Sequence, residues 1–90
     1  MCMLDNHDMT RYGNAVGGDI KIIKMGMAML STVRGYPQFY YGDEILIEGG
    51  TGAYEDARRC FPGGWAHHEA NAFDPKQRTK EQKEVYNYLR

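Results

Sequence analysis

Residues 20 to 33, IKIIKMGMAMLSTV, constrain this chain more than any other stretch. Ile20, Ile23, Met27 and Leu30 recur at helical spacing, and Ile22, Met25, Met29 and Val33 widen the stripe. A helix apolar around so much of its circumference is expected to be buried on more than one side. Asp19, preceded by Gly17 and Gly18, reads as its N-cap, Arg34 suits the last turn and Gly35 the exit. The spacing therefore predicts a helix near residues 19–34. No apolar run approaches the ~20 residues of a membrane span, so no membrane partner is expected.

Such a helix needs a layer to pack on, and 90 residues provide for one small domain, taken as residues 1–90. Met1 to Leu4 is apolar and reads as the end of a buried strand. "QFYY", residues 38 to 41, follows Pro37 and reads as a second strand that starts where a missing N–H is tolerated. Strands are thus predicted near residues 1–5 and 37–41. Thr79 to Gln82 matches a capping box, and Val85, Tyr86 and Leu89 then share one face of a helix near 79–89. Between them, residues 45 to 75 contain glycine and proline but no sustained period, which predicts a long loop. The order strand, helix, strand, long loop, helix argues for a parallel α/β arrangement.

Two polar clusters stand out against this frame. Asp5, Asn6, His7, Asp8 and Arg11 crowd the residues after the first strand, and Gly42-Asp43-Glu44 follows the second. Parallel α/β folds place their active sites at the C-terminal ends of their strands, so both clusters are expected at one end of the sheet. The formal net charge of -1 points to neither nucleic acid nor an anionic membrane surface. Cys2 and Cys60 make neither a disulfide framework nor a metal quartet and read as free thiols. From the residues alone, "NHD" is either an active-site rim or a polar turn in which Asp5 and Asn6 bond local backbone. "YYGDE" likewise suits a strand with a solvated turn, and "FPGGW" (61–65) a tight turn with an aromatic packed across it.

Taken together, these stretches resemble the C-terminal half of the catalytic domain in the alpha-amylase family of glycoside hydrolases. "MLDNHD" (3–8) looks like the family's segment at the end of barrel strand seven, F-x-x-N-H-D. "RGYPQFYYGDE" (34–44) is similar to its strand-eight segment, G-x-P-x-x-Y-Y-G-x-E. "RRCFPGGW" (58–65), with "NAF" at 71 to 73, resembles the loop of the neopullulanase and cyclomaltodextrinase branch. Met3 stands where the pattern usually has phenylalanine, and Cys60 where the branch usually has aspartate.

The resemblance implies a βαβα piece of a (β/α)8 barrel, strands seven and eight, with a long loop before the last helix. It implies that Asp8 is the carboxylate that stabilises the developing cation and that His7 binds sugar hydroxyls beside it. Asn6 and Arg11 would support that cluster in binding substrate, and Tyr41, Glu44 and Trp65 are candidates for a subsite loop. It assigns no cofactor and no metal. The expected partner is an alpha-glucan oligosaccharide or polysaccharide joined by alpha-1,4 or alpha-1,6 links, such as maltodextrin, pullulan or cyclodextrin.

The nucleophile and general acid that a retaining glycosidase requires have no counterpart in these motifs, and neither do strands one to six. The chain by itself is therefore expected to be inactive, to leave sheet edges exposed and to self-associate through them. The alternative function class is a catalytically inactive carbohydrate-binding or assembly module, or a truncated remnant.

Overall fold

The computed structural model describes residues 1–52 and 54–90. Strand β1, Cys2–Met3, pairs in parallel with β2, Pro37–Gln38, in the register Cys2 to Pro37 and Met3 to Gln38. Between them lie α1 (Tyr12–Ala15) and α2 (Ile20–Thr32), and α3 (Lys80–Leu89) closes the chain. Single 3-10 turns at Asp43–Ile45, Tyr54–Arg58 and Pro75–Gln77 punctuate the long connection. The alternation of strand and helix and the parallel pairing are as the sequence predicts, while α1 is an addition to the predicted order.

The strands are much shorter than predicted. Leu4 and Asp5, and Phe39 to Tyr41, continue past the ladder without pairing. Among the described residues the two strands have only each other, and a two-stranded pair receives no cooperative support from further neighbours. β2 is exposed rather than buried for the same reason.

Helix α2 begins where its cap predicts. Asp19 Oδ1 accepts a hydrogen bond from the Lys21 N–H at 2.9 Å, which satisfies one of the free donors of the first turn. It ends at Thr32, short of Arg34, with Val33 already extended. The Ser31 and Thr32 hydroxyls donate to Met27 O and Ala28 O at 2.9 and 3.0 Å. Such back-bonding loosens a helix end.

One face of α2 is buried, through Ile23, Gly26, Met27 and Leu30. The other face leaves Ile22, Met25, Met29 and Val33 exposed. Burial on more than one side is thus not found, because no described element packs on the second face. Gly26 is required by its neighbour: the Tyr12 ring crosses the helix there, and its hydroxyl donates to Ile22 O at 3.0 Å. A Cβ at position 26 would lie 2.2 Å from that hydroxyl.

The core gathers Ile23, Met27 and Val85, with Leu4, Tyr12, Val16, Ile20, Leu46 and Leu89 against them. It joins α2 to α3 and to the turn at Asp43–Ile45, whose Ile45 is fully buried. Helix α3 carries the predicted capping box: Gln82 N–H donates to Thr79 Oγ1 at 3.2 Å, and Thr79 N–H to Gln82 Oε1 at 2.9 Å. Lys24 reaches Glu84 at 2.6 Å across the outside of the two helices. That hydrogen bond holds the Glu84 carboxyl below its usual range.

Candidate functional site

The chain leaves β1 and turns sharply at Asn6 to Met9. Asn6 Oδ1 accepts from the Asp8 N–H at 2.8 Å, and Met9 N–H donates to Asn6 O at 3.3 Å. An Asx turn of this kind lifts the next two side chains outward. His7 and Asp8 are accordingly exposed, with His7 Nε2 3.1 Å from Asp8 Oδ2. Arg58, from the long connection, donates from Nη2 to Asp8 Oδ1 at 2.6 Å and from Nε to His7 O at 3.1 Å. The surface cluster is thus a carboxylate, an imidazole and a guanidinium, with acceptors and donors side by side.

A second cluster lies beneath. Arg11 is fully buried. Its Nη1 donates to Tyr41 O at 2.8 Å and lies 3.6 Å from Asp43 Oδ1. The guanidinium sits over the Tyr40 ring at 4.1 Å and the Tyr41 ring at 4.9 Å, a desolvated cation–π arrangement. Asp5 is 2% exposed and accepts from the Tyr12 N–H at 2.7 Å. Asp43 stands beside Arg11, and its carboxyl is pushed up to about 8. Burial is the largest cause and the neighbouring Asp5 the next, with Arg11 pulling the other way.

The sequence-predicted residues divide on this geometry. Asn6, His7 and Asp8 come together on one turn, as the motif requires. Arg11, expected among the substrate-binding residues, is buried, with Tyr40, Tyr41 and Asp43 against it. Tyr41 lies against Arg11 and donates from its hydroxyl to Arg59 O at 2.8 Å. Glu44 turns back on its own loop, where Oε2 accepts from the Gly42 N–H at 2.7 Å.

Trp65 is 63% exposed on a separate turn. That turn is held by Gly63 N–H to His68 Nδ1 at 2.8 Å, by Ala72 N–H to Pro62 O at 3.0 Å, and by the Phe61 and Phe73 rings 4.5 Å apart. Gly63 has a φ of 109°, and a Cβ there would collide with Asn71.

Arg58, Asp5 and Asp43 are the residues that sequence reasoning did not place in the site. Arg58 meets Asp8 across 50 positions, a separation over which local pattern carries no signal. Asp5 and Asp43 were visible as acidic residues after each strand, but their shared burial was not.

A cavity of about 480 Å3 is lined by Gly13, Asn14, Ile20, Leu46, Glu48 and Gln82, among others. It includes none of Asn6, His7 or Asp8. Among the described residues no group of three or more His, Cys, Asp or Glu is arranged to hold a metal ion. No helix among them is long and apolar enough to cross a membrane.

The chain was compared with known proteins. It is 31% identical over 88 residues to a cyclomaltodextrinase of Geobacillus thermopakistaniensis, covering 98% of this chain and 12% of that protein. It is 36% identical over 69 residues to neopullulanase 2 of Thermoactinomyces vulgaris, covering 77% of this chain and 11% of that one. A cyclomaltodextrin glucanotransferase of Geobacillus stearothermophilus matches at 46% over 46 residues, 51% of this chain and 6% of the relative. The chain therefore spans about an eighth or less of the length of these curated relatives. The family model "Alpha amylase, catalytic domain" matches residues 1–88. With the Asn6-His7-Asp8 turn after one parallel strand and the Tyr40 to Glu44 segment after the other, the chain belongs to the alpha-amylase catalytic-domain family, a family of glycosidases.

Proposed function

We propose that this chain supplies the strand-seven and strand-eight part of the barrel of a glycoside hydrolase acting on alpha-1,4 and alpha-1,6 glucans. In this reading Asp8 stabilises the positive charge that develops at the anomeric carbon, and His7 binds the hydroxyls of the same sugar. Asn6 fixes the turn that presents them. Arg11 acts from below, by holding the turn rather than by touching sugar. Tyr41, Glu44 and Trp65 belong to the outer subsites.

One observation carries the reading: the Asp8 carboxylate and the His7 imidazole stand exposed and 3.1 Å apart, directly after a parallel strand. Glycoside hydrolysis passes through an oxocarbenium-like transition state, which a carboxylate stabilises and which ring-hydroxyl contacts orient. The relatives' names, cyclomaltodextrinase and neopullulanase, support cyclodextrin and pullulan as substrates beside maltodextrin.

The 90 residues alone are expected to hydrolyse no glucan. Asp8 has His7 and Arg58 as its neighbours, and the separate nucleophile and general acid, which must stand about 5–5.5 Å apart, have no counterpart in the motifs of this chain. Reducing-sugar release from maltodextrin, pullulan and cyclodextrin tests this directly. Turnover by the purified chain, abolished by Asp8→Asn, would overturn the assignment of roles.

A further inference from the structure

The long connection after β2 returns twice to the segment that carries Asn6, His7 and Asp8. It first does so at Gly49 and Gly50. The Arg11 N–H donates to Gly49 O at 3.0 Å, the Thr10 hydroxyl to Gly50 O at 2.7 Å, and the Gly49 N–H to Asn14 Oδ1 at 2.7 Å. The backbones approach so closely that a Cβ at Gly50 would lie 2.6 Å from Met9 O. A side chain there would displace the turn.

The second return is at Arg58. Its Nη2 donates to Asp8 Oδ1 at 2.6 Å and its Nε to His7 O at 3.1 Å. One planar guanidinium thus grips the side chain of residue 8 and the backbone of residue 7 together, which a point-like ammonium does not do. Ala57, just before it, is buried, so the grip stands on a fixed base. Gly49 ties the two returns together, since a Cβ there would run into Asp56 O.

The Asp8 carboxylate is consequently held on both oxygens, by Arg58 on Oδ1 and by His7 Nε2, 3.1 Å away, on Oδ2. A half-exposed carboxylate without such partners is free to change rotamer. Stabilising a cation that develops at one carbon needs a group aimed in advance, because a preorganised charge does not reorient during the reaction. Arg58 and Asp8 both face water, which screens their charges, so the pairing acts on direction more than on charge.

We propose that Arg58 is a positioning residue for the reaction: together with the Gly49-Gly50 crossing it clasps the His7-Asp8 turn and aims the Asp8 carboxylate. The proposal rests on the role given to Asp8 above. It also gives the long connection, which has no sequence period, a part in the chemistry.

Two measurements test it. In nuclear magnetic resonance of the 90-residue chain, Arg58→Ala is expected to shift the His7 and Asp8 amide resonances and to loosen both residues in relaxation measurements. Arg59→Ala removes the same charge from the next position and is expected to leave them in place, because Arg59 pairs with Asp56 inside its own turn. Unmoved His7 and Asp8 resonances in Arg58→Ala, or equal shifts in Arg59→Ala, overturn the clasp. In the full-length enzyme carrying these residues, Arg58→Ala is expected to lower kcat for maltodextrin and cyclodextrin by about tenfold to a hundredfold, as misplacement of a reacting group does, with KM little changed. Millimolar guanidinium should restore part of that kcat, and methylammonium should not, since only the planar ion replaces both bonds. A wild-type kcat in Arg58→Ala, a loss confined to KM, or a loss that guanidinium does not relieve overturns the positioning. A wild-type enzyme that cleaves no alpha-glucan overturns the proposed function instead, and the His7 and Asp8 resonances then decide the clasp.

Discussion

Arg58 Nη2 lies 2.6 Å from Asp8 Oδ1, joining two residues 50 positions apart at the surface of the site. Both side chains are about half exposed, so the contact is screened by water. Arg58→Ala is expected to lower stability by only about 0.2–1 kcal/mol, and the difference should shrink as salt is added. Chemical denaturation at low and high salt measures it. A loss several times larger would mean that Arg58 holds the fold and not just the Asp8 carboxylate.

Gly26→Ala is expected to destabilise the chain despite alanine's better helix propensity. The new methyl group would meet the Tyr12 ring, whose hydroxyl and nearest carbons lie 2.2 to 2.9 Å from the added Cβ. Overpacking of this kind costs about 1–3 kcal/mol. Removing the ring in a Tyr12→Ala background should restore the alanine's advantage. A thermal melt of both pairs checks this, and additive effects would show that the two residues do not meet.

Stability should fall as pH rises from about 4 towards about 8. The folded Asp43 carboxyl is raised to about 8 from an ordinary value of 3.8, chiefly by burial and then by Asp5. The native chain therefore retains a proton that the unfolded chain has released. Its stabilising contribution is fully present below pH 3.8 and is lost as pH climbs through the folded value. Asp43→Asn should flatten this dependence. Melting temperatures measured across the range decide it, and an unchanged slope in the variant would assign the effect to another group.

The exposed apolar face of α2 is expected to drive association of the isolated chain, together with the open sheet edges. Met25 is 70% exposed and Met29 57%, and both stand on the side opposite the core. Met25→Glu with Met29→Glu should shift the sedimentation profile towards monomer without unfolding α2. Concentration-independent monomer in the unaltered chain would remove this expectation.

Local chemistry made α2 and α3 legible, though not the four-residue α1. Asp19 and Thr79 cap their helices through contacts only two or three residues long, so the sequence carries the whole signal. The strands were legible in position and direction but not in length, because a ladder's extent depends on neighbours that these residues do not supply. In the site, the Asn6-His7-Asp8 turn is built by adjacent residues and could be read in advance. The burial of Arg11 could not, since it depends on Tyr40, Tyr41 and Asp43, about 30 positions away. Glu44 and the turn that carries Trp65 are each held by bonds within their own loop, a local geometry that the linear pattern does not show.

The most direct test of the role given to Asp8 is kcat for maltodextrin and cyclodextrin hydrolysis by the full-length enzyme carrying these residues, compared with its Asp8→Asn variant. Asparagine keeps the shape of the side chain and removes the charge that the developing cation requires. The expected result is a kcat reduced by a factor of at least about 10²–10³, with KM little changed, an unaltered melt, and no turnover by the 90-residue chain under the same conditions. A variant with wild-type kcat would contradict the role of Asp8 and place the stabilising carboxylate elsewhere.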